Sequence, residues 1–312
     1  MAKVMVTGGA GFIGSHTVDY LLGQEHEVLA VDSLKTGCRG NLSQATKRGG
    51  FEFEEADISD WDTVCQLADS FKPESIIHLA ALVSVPESFE KPIENFDNNI
   101  KATQVVAEAA RVARVKQVVF ASSAAVYGNT DGTAVREDNP KRPVSPYGNA
   151  KYVGEQILTG AGRMYGFGVT CFRYFNVYGP RQDPSSPYSG VMSIFADRYS
   201  RNKGVTIYGD GLQTRDFIFV KDVARFNAEA ATSALEGQRV VNLCTGRSTS
   251  LLDLCDYFSR QFPENPAPVH ETARIGDIRH SLGCPDQAEK LFEIDGLTTV
   301  DQGLKELSRS LF

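Results

Sequence analysis

Val4-Met5-Val6-Thr7-Gly8-Gly9-Ala10-Gly11-Phe12-Ile13-Gly14-Ser15 is the stretch that sets the fold. Val4-Met5-Val6 is a short apolar run suited to a strand buried on both faces. A glycine-rich turn follows, and beyond it Val18, Leu21 and Leu22 fall on one face of a helix. Strand, glycine turn and helix in that order form a cradle for a dinucleotide pyrophosphate. Gly8 and Gly11 let the chain turn tightly and let phosphate approach the backbone. The helix N-terminus offers unpaired N–H groups and the positive end of its dipole, and Gly14 lets the helix pack close to the strand. The spacing is G-x-x-G-x-x-G, one residue wider than the commoner G-x-G-x-x-G. The next run, Glu27-Val28-Leu29-Ala30-Val31, ends in Asp32. A carboxylate there accepts from adenosine ribose hydroxyls and repels a 2′-phosphate, which favours NAD over NADP. Arg39, close by in sequence, pulls toward NADP.

Apolar runs and amphipathic stretches then alternate. Strands are expected at 3–7, 27–31, 51–56, 75–79, 117–122 and 168–174, with helices near 12–24, 60–70, 92–114 and 147–166. The alternation predicts an α/β fold: a Rossmann-type doubly wound parallel sheet with helices on both faces. Gly and Pro thicken over 179–190, where the chain is expected to leave the sheet. An NAD-binding domain is therefore expected over 1–178. A smaller C-terminal mixed α/β lobe for substrate is expected over 179–312. Segments near 216–246 should return to the first domain, because Arg239-Val240-Val241-Asn242-Leu243 reads as a strand.

The chemistry concentrates in Ser145-Pro146-Tyr147-Gly148-Asn149-Ala150-Lys151. A helix starting after Pro146 stacks Tyr147 and Lys151, four residues apart, on one face. A phenol of ordinary pKa, about 10, is a poor base at neutral pH, and a nearby ammonium lowers that value. The pair reads as a tuned proton acceptor. Val119-Phe120-Ala121-Ser122-Ser123 reads as a buried strand ending in hydroxyls that can share a proton with the phenol.

Composition narrows the classes. Over 312 residues, 32 basic and 39 acidic side chains give a net charge of −7 without a basic run, which argues against nucleic acid as a partner. No stretch approaches the roughly 18 apolar residues of a membrane span, and a core strand rather than a signal peptide is expected at the N-terminus. The six cysteines (38, 65, 171, 244, 255, 284) and five histidines are scattered. They predict a cytoplasmic protein with reduced thiols and no metal site. His78, in Ile76-Ile77-His78-Leu79-Ala80-Ala81, reads as a core histidine at a strand end.

These residues resemble the extended short-chain dehydrogenase/reductase family, and within it the nucleotide-sugar 4-epimerases of the UDP-glucose and UDP-N-acetylglucosamine type. The ordered matches begin with Thr7 to Gly14, Ala56-Asp57-Ile58, His78-Leu79-Ala80-Ala81 and Asp97-Asn98-Asn99. They continue with Ser122-Ser123-Ala124-Ala125-Val126-Tyr127-Gly128, Tyr147 with Lys151, and Arg173-Tyr174-Phe175-Asn176-Val177-Tyr178-Gly179-Pro180-Arg181. Thr214-Arg215-Asp216-Phe217 and Arg274-Ile275-Gly276-Asp277 complete a set that covers essentially the whole chain. The resemblance implies NAD as a tightly bound cofactor, a UDP-sugar as substrate, and a homodimer formed through the helices near 92–114 and 147–166. It implies cofactor contacts from Gly8, Gly11, Phe12, Ile13 and Gly14, from Asp32, Thr36 and Gly37 at the adenosine ribose, and from Asp57 and Ile58 at the adenine. Leu79, Ala80, Ala81, Asn98 and Tyr174 would also touch the cofactor. Lys151 would bridge the nicotinamide ribose and the Tyr147 phenolate, and Ser123 would hydrogen-bond the reacting sugar oxygen. Ser84, Asn176, Val191, Tyr208, Arg215, Arg274, Asp277 and Ser281 would hold the substrate.

Within the resemblance, two departures bear on the substrate. Many hexose epimerases carry a Lys a few residues after the His78 strand. This chain has Leu82-Val83-Ser84-Val85-Pro86 there, closer to the N-acetylhexosamine branch. Ser281 matches a position where hexose-only members carry Tyr, which implies room for an acetamido group. The reaction class follows from an absence. Dehydratases on this scaffold carry a carboxylate pair just after the serine strand, whereas Ala124 and Ala125 cannot move a proton. A 4-keto sugar formed here can only be reduced again, and rotation before reduction inverts C4. A uronate epimerase, a nucleotide-sugar reductase and a non-catalytic NAD-binding regulator compete with this assignment. The presence of Tyr147, Lys151 and Ser123 together speaks against the regulator.

Overall fold

The computed structural model describes residues 1–184, 190–233, 235–273, 279–292 and 296–311. Its strands are β1 (Lys3–Thr7), β2 (Glu27–Asp32), β3 (Phe51–Glu55), β4 (Ser75–His78), β5 (Gln117–Ser123), β6 (Gly168–Tyr174), β7 (Asn176–Tyr178), β8 (Thr206–Tyr208), β9 (Thr214–Phe219), β10 (Gln238–Leu243), β11 (Ser248–Ser250), β12 (Val269–Glu271) and β13 (His280–Ser281). The helices used below are α1 (Phe12–Gly23), α2 (Trp61–Phe71), α3 (Val85–Glu90), α4 (Pro92–Asn95), α5 (Ala102–Val112), α6 (Pro146–Tyr165), α7 (Val191–Ser200), α8 (Val220–Thr232) and α9 (Leu251–Gln261). The chain divides into two compact units. Unit 1 comprises Met1–Gly128, Pro140–Tyr174 and Val223–Val241, and unit 2 comprises Asn129–Asn139, Phe175–Asp222 and Asn242–Phe312.

Unit 1 is built on a seven-stranded sheet of order β10-β6-β5-β4-β1-β2-β3. The five pairings from β6 to β3 are all parallel. The order reverses between β1 and β4, so the carboxyl ends of these two strands form the switch point where such sheets bind ligands. The apolar run of β1 is legible because both its faces are covered: Val4, Met5 and Val6 are fully buried. Met5, Ile76, Val118, Phe120 and Val169 from the sheet share one core with Val64, Val106 and Leu158 from the helices. Each such apolar side chain contributes about 1.5–3 kcal/mol on full burial.

The expected strands all form, within a residue or so of their expected bounds. The helix expected over 92–114 does not run unbroken. It is α4, a π-helical turn over Phe96–Lys101, and then α5. Buried Asn99 sits in the wide turn and closes a pair of bonds on Leu82, accepting from its N–H at 2.9 Å and donating to its carbonyl at 3.0 Å. Such wide turns accompany functional sites in other helices. Helix α3 was not anticipated, although Ser84 as N-cap, Pro86 in the first turn and acidic Glu87 spell a helix start.

In unit 2, β9 is the central strand. It pairs antiparallel with β11 and parallel with both β13 and β7. A separate two-stranded parallel sheet joins β8 to β12. Ser250 and Asp253 form a capping box that starts α9. Tyr199 of α7 stacks on Phe258 of α9 at 5.2 Å. Among the described residues no helix is long and apolar enough to cross a membrane, and no cluster of His, Cys, Asp and Glu is suited to a metal ion.

Candidate active site

The glycine loop closes on itself at the carboxyl end of β1. Gly8 has φ of 70°, and a Cβ on it would stand 2.7 Å from the Ala80 nitrogen. A Cβ on Gly14 would stand 2.0 Å from the Gly8 carbonyl oxygen, so only glycine lets α1 approach the loop this closely. Gly11 is the N-cap of α1 and offers no side-chain cap; the first turn, which includes Phe12 and Ile13, carries no acidic residue. The helix therefore keeps its N–H groups for an anion, and the loop fits a pyrophosphate. Asp32, buried at the end of β2, accepts from the N–H of Ala10 at 3.0 Å and of Leu34 at 2.8 Å. Gly37 lies against this carboxylate, where a Cβ would come within 2.6 Å of Oδ1. Thr36 beside it is exposed. Asp57 pairs with Lys35 at 2.8 Å and accepts from the Ser59 N–H at 2.9 Å. Burial works to raise the Asp57 carboxyl, but the Lys35 ammonium and the Ser59 bonds outweigh it and hold it at about 2. Ile58 is buried. Arg39 is engaged by Glu55 at 2.6 Å and lies over the Phe53 ring.

Leu79, Ala80 and Ala81 follow β4 and are half-buried. Thr7 anchors them: its carbonyl accepts from Leu79 N–H at 3.1 Å and its hydroxyl from Ala80 N–H at 3.3 Å. That hydroxyl also bonds His78 Nδ1 at 2.8 Å, while His78 Nε2 meets Thr103 at 3.2 Å and the ring stacks on Phe120. His78 is a core histidine. Burial first, and Lys151 second, push it down to about 3, so it stays neutral in the fold. Once unfolded it takes a proton below about 6.5; the stability it contributes is therefore complete above that pH and is lost as pH falls toward 3. Between pH 7 and pH 5 the wild type should lose about 2 kcal/mol more stability than a His78→Asn variant, read by denaturant unfolding at both pH values.

Tyr147, Lys151 and Ser123 come together as expected. Ser145 caps α6 by accepting from Gly148 N–H at 3.0 Å, with Pro146 in the first turn. The helix lies tight on β5: a Cβ on Gly148 would stand 2.7 Å from the Ala125 carbonyl, and one on Gly154 2.7 Å from Phe120. The Lys151 ammonium is buried 5.0 Å from the Phe120 ring centre and 5.8 Å from that of Tyr147. Ser123 lies close enough to the phenol to lower it and caps the following turn, accepting from Ala125 N–H at 3.1 Å. The Tyr147 N–H donates to Ser88, a contact between distant segments that no local pattern announces.

The electrostatics depart from the sequence expectation. The phenol is not lowered by its neighbour. Burial raises it above its ordinary value, and the Ser123 hydroxyl offsets only part of this. Burial also brings Lys151 down to about 7. Lys151 is buried and Tyr147 is half-buried, and for each the loss of water outweighs what the neighbouring group returns. Below them, Glu155 and Arg173 form a buried pair with contacts of 2.8 Å. Arg173 also donates to Tyr127 at 2.9 Å, and Ser122 donates to Glu155 at 2.5 Å. This network ties α6 to β5 and β6 one turn along the helix from Lys151.

Three further residues expected at the site have hydrogen-bond partners within the protein. Tyr174 donates its hydroxyl to Asn227 at 2.6 Å in the core. Asn98 donates to the Glu94 carbonyl one turn back, at 2.8 Å. Buried Ser84 caps α3 by accepting from Glu87 N–H at 3.0 Å.

Unit 2 contains a cavity of about 340 Å³ lined by Asn176, Val191, Tyr208 and Arg215, four residues singled out from sequence. Gln182, Phe195, Gln213, Phe217 and Leu251 share the lining and were not foreseen. Aromatic and aliphatic walls with one guanidinium suit a flat base carrying phosphates. Ser281 stands opposite Arg215 in the β13–β9 register. Arg274 and Asp277 lie outside the described residues.

A sequence-family model described as the NAD dependent epimerase/dehydratase family matches residues 4–244. A UDP-glucose 4-epimerase of Mycolicibacterium smegmatis is 40% identical over 280 residues, covering 89% of this chain and 88% of that protein. Among solved structures, the UDP-glucose 4-epimerase of Thermotoga maritima with UDP-glucose superposes with a TM-score of 0.92 at 35% identity, covering 99% of this chain and 98% of the other. The UDP-N-acetylglucosamine 4-epimerase of Methanobrevibacter ruminantium in complex with UDP-N-acetylmuramic acid gives 0.91 at 33%, with the same coverage of 99% and 98%.

Proposed function

This chain belongs to the NAD dependent epimerase/dehydratase family, and from that premise we propose that it inverts C4 of UDP-sugars through a transient 4-keto sugar. The observation that carries this reading is the gathering of half-buried Tyr147 and Ser123 around the buried Lys151 ammonium, followed by a turn, Ala124–Val126, whose alanines move no proton. The 4-keto sugar then meets no acid–base pair able to eliminate water and can only be reduced.

NAD, when bound, supplies reversible hydride acceptance and a cationic ring. The glycine loop with the start of α1 binds its pyrophosphate, Asp32 its ribose, and Asp57 with Ile58 its adenine. Tyr147 Oη takes the proton of the sugar 4-hydroxyl and later returns it. Ser123 Oγ holds the same oxygen. Lys151, whose pKa burial brings down to about 7, stands 5.8 Å from the Tyr147 ring centre, and its protonated form favours the phenolate. The cavity of unit 2 takes the uridine diphosphate, with Arg215 on the phosphates. Arg274 and Asp277 belong to the same role by sequence motif.

Small Ser281, paired in register with Arg215, supports acceptance of both acetamido and unsubstituted sugars. Incubation with UDP-N-acetylglucosamine and UDP-glucose separately should yield the C4 epimer of each. Ser281→Tyr should cut kcat/KM for the acetamido sugar by about 100-fold while leaving the hexose within about threefold. Equal loss of both would remove Ser281 as the gate.

We also infer a homodimer in the cytoplasm. Phe89, Ile93 and Phe96, on or just after α3 and α4, are 60%, 74% and 50% exposed, an apolar strip that a second copy would cover. All six cysteines are free, in keeping with a reducing compartment.

A further inference from the structure

We propose that Asp216 is a positioning residue for nucleotide binding: its carboxylate locks β9 against β13 and the loop after β10, and so fixes Arg215 and Asn176 in the cavity wall. The proposal rests on the assignment of that cavity to the nucleoside diphosphate. Asp216 is fully buried. Its Oδ1 accepts from the N–H of Thr245 at 2.8 Å and from the Thr245 hydroxyl at 2.7 Å. Its Oδ2 accepts from the N–H of Gly246 at 2.9 Å and of Gly283 at 3.3 Å. Four donors from two separate segments thus converge on one side chain. A carboxylate has the acceptor sites for all four and no hydrogen to oppose any of them.

The consequences pass to the cavity through the backbone. Adjacent strand residues point to opposite faces, so the buried grip of Asp216 leaves Arg215 facing the cavity it lines. The Asp216 carbonyl accepts from the Asn176 amide at 3.1 Å, which hangs a second lining residue on the same unit of backbone. Ser281, two residues before Gly283, is paired with Arg215. The donor segment is closely packed at 283, where a Cβ would lie 2.6 Å from Cys244 Sγ and 2.7 Å from Phe175.

In Asp216→Asn an amide NH₂ replaces one oxygen and faces donors that need an acceptor, so at least one buried N–H loses its partner. UDP binding is measured by calorimetry, and kcat and KM with UDP-glucose, on the holoenzyme. The Kd for UDP and the KM should rise about tenfold or more. The value of kcat should stay within about threefold, with bound NAD unchanged. Thr245→Val removes one donor and decides the matter if Asp216→Asn does not fold; a smaller rise in Kd and KM, with kcat again preserved, is expected. A folded variant that melts earlier but binds UDP with wild-type Kd would overturn the positioning role. Failure of the wild type itself to bind UDP would overturn the assignment of the cavity instead, and the two failures are therefore distinguishable.

Discussion

Tyr147→Phe should lower kcat by about 10³-fold, within the range that one positioned acid–base group contributes, while the purified protein keeps its full complement of NAD. The substitution removes Oη and nothing else. The ring keeps its half-buried place on α6, the Lys151 ammonium keeps its place over Phe120, and the Ser123 hydroxyl remains available to the sugar oxygen. What disappears is the atom that receives the proton of the 4-hydroxyl. Because burial raises the phenol rather than lowering it, its conversion to a base depends on positive charge gathered when the site is filled. Turnover at saturating substrate, measured beside NAD released on denaturation, separates loss of chemistry from loss of cofactor. A variant retaining kcat within tenfold of the wild type would remove Tyr147 as the base.

Gly14→Ala should have the second large effect, on stability and cofactor retention together. The added Cβ would stand 2.0 Å from the Gly8 oxygen, 2.8 Å from the Gly8 carbonyl carbon and 2.9 Å from Gly9 Cα. These are backbone atoms of the cradle, so no side chain can rotate out of the way. Helix α1 must move off the loop, at a cost of about 2 kcal/mol or more. The same movement displaces the N–H groups that face the pyrophosphate. The protein should purify with less than half the wild-type NAD and melt several degrees lower. Full NAD content with an unchanged melting temperature would show that the loop and α1 do not hold the cofactor.

The sheet was legible in the sequence because a parallel strand covered on both faces must be an apolar run. β1, β4 and β5 announce themselves in this way, and the glycines between β1 and α1 identify the ligand-binding end. The meeting of Tyr147, Lys151 and Ser123 was legible for a similar reason. Tyr147 and Lys151 lie on one helix, and Ser123 ends the strand against which that helix packs.

What escaped depends on contacts between residues far apart in the chain. Asn99 opens a π turn to reach Leu82, Ser88 receives the Tyr147 N–H, and Asp216 gathers donors from Thr245 and Gly283. None of these leaves a periodic signal. The direction of the Tyr147 shift escaped because burial is a property of the assembled fold. The i, i+4 spacing locates the ammonium but does not count the water removed from the phenol.

The central claim is that hydride leaves and returns at one sugar carbon within one catalytic cycle. UDP-glucose deuterated at C4 tests it most directly, with the product epimer resolved and weighed by mass spectrometry. The account predicts that the C4-inverted product retains the deuterium and that no NADH accumulates. Deuterium lost to solvent, or NADH released in proportion to product, would contradict it.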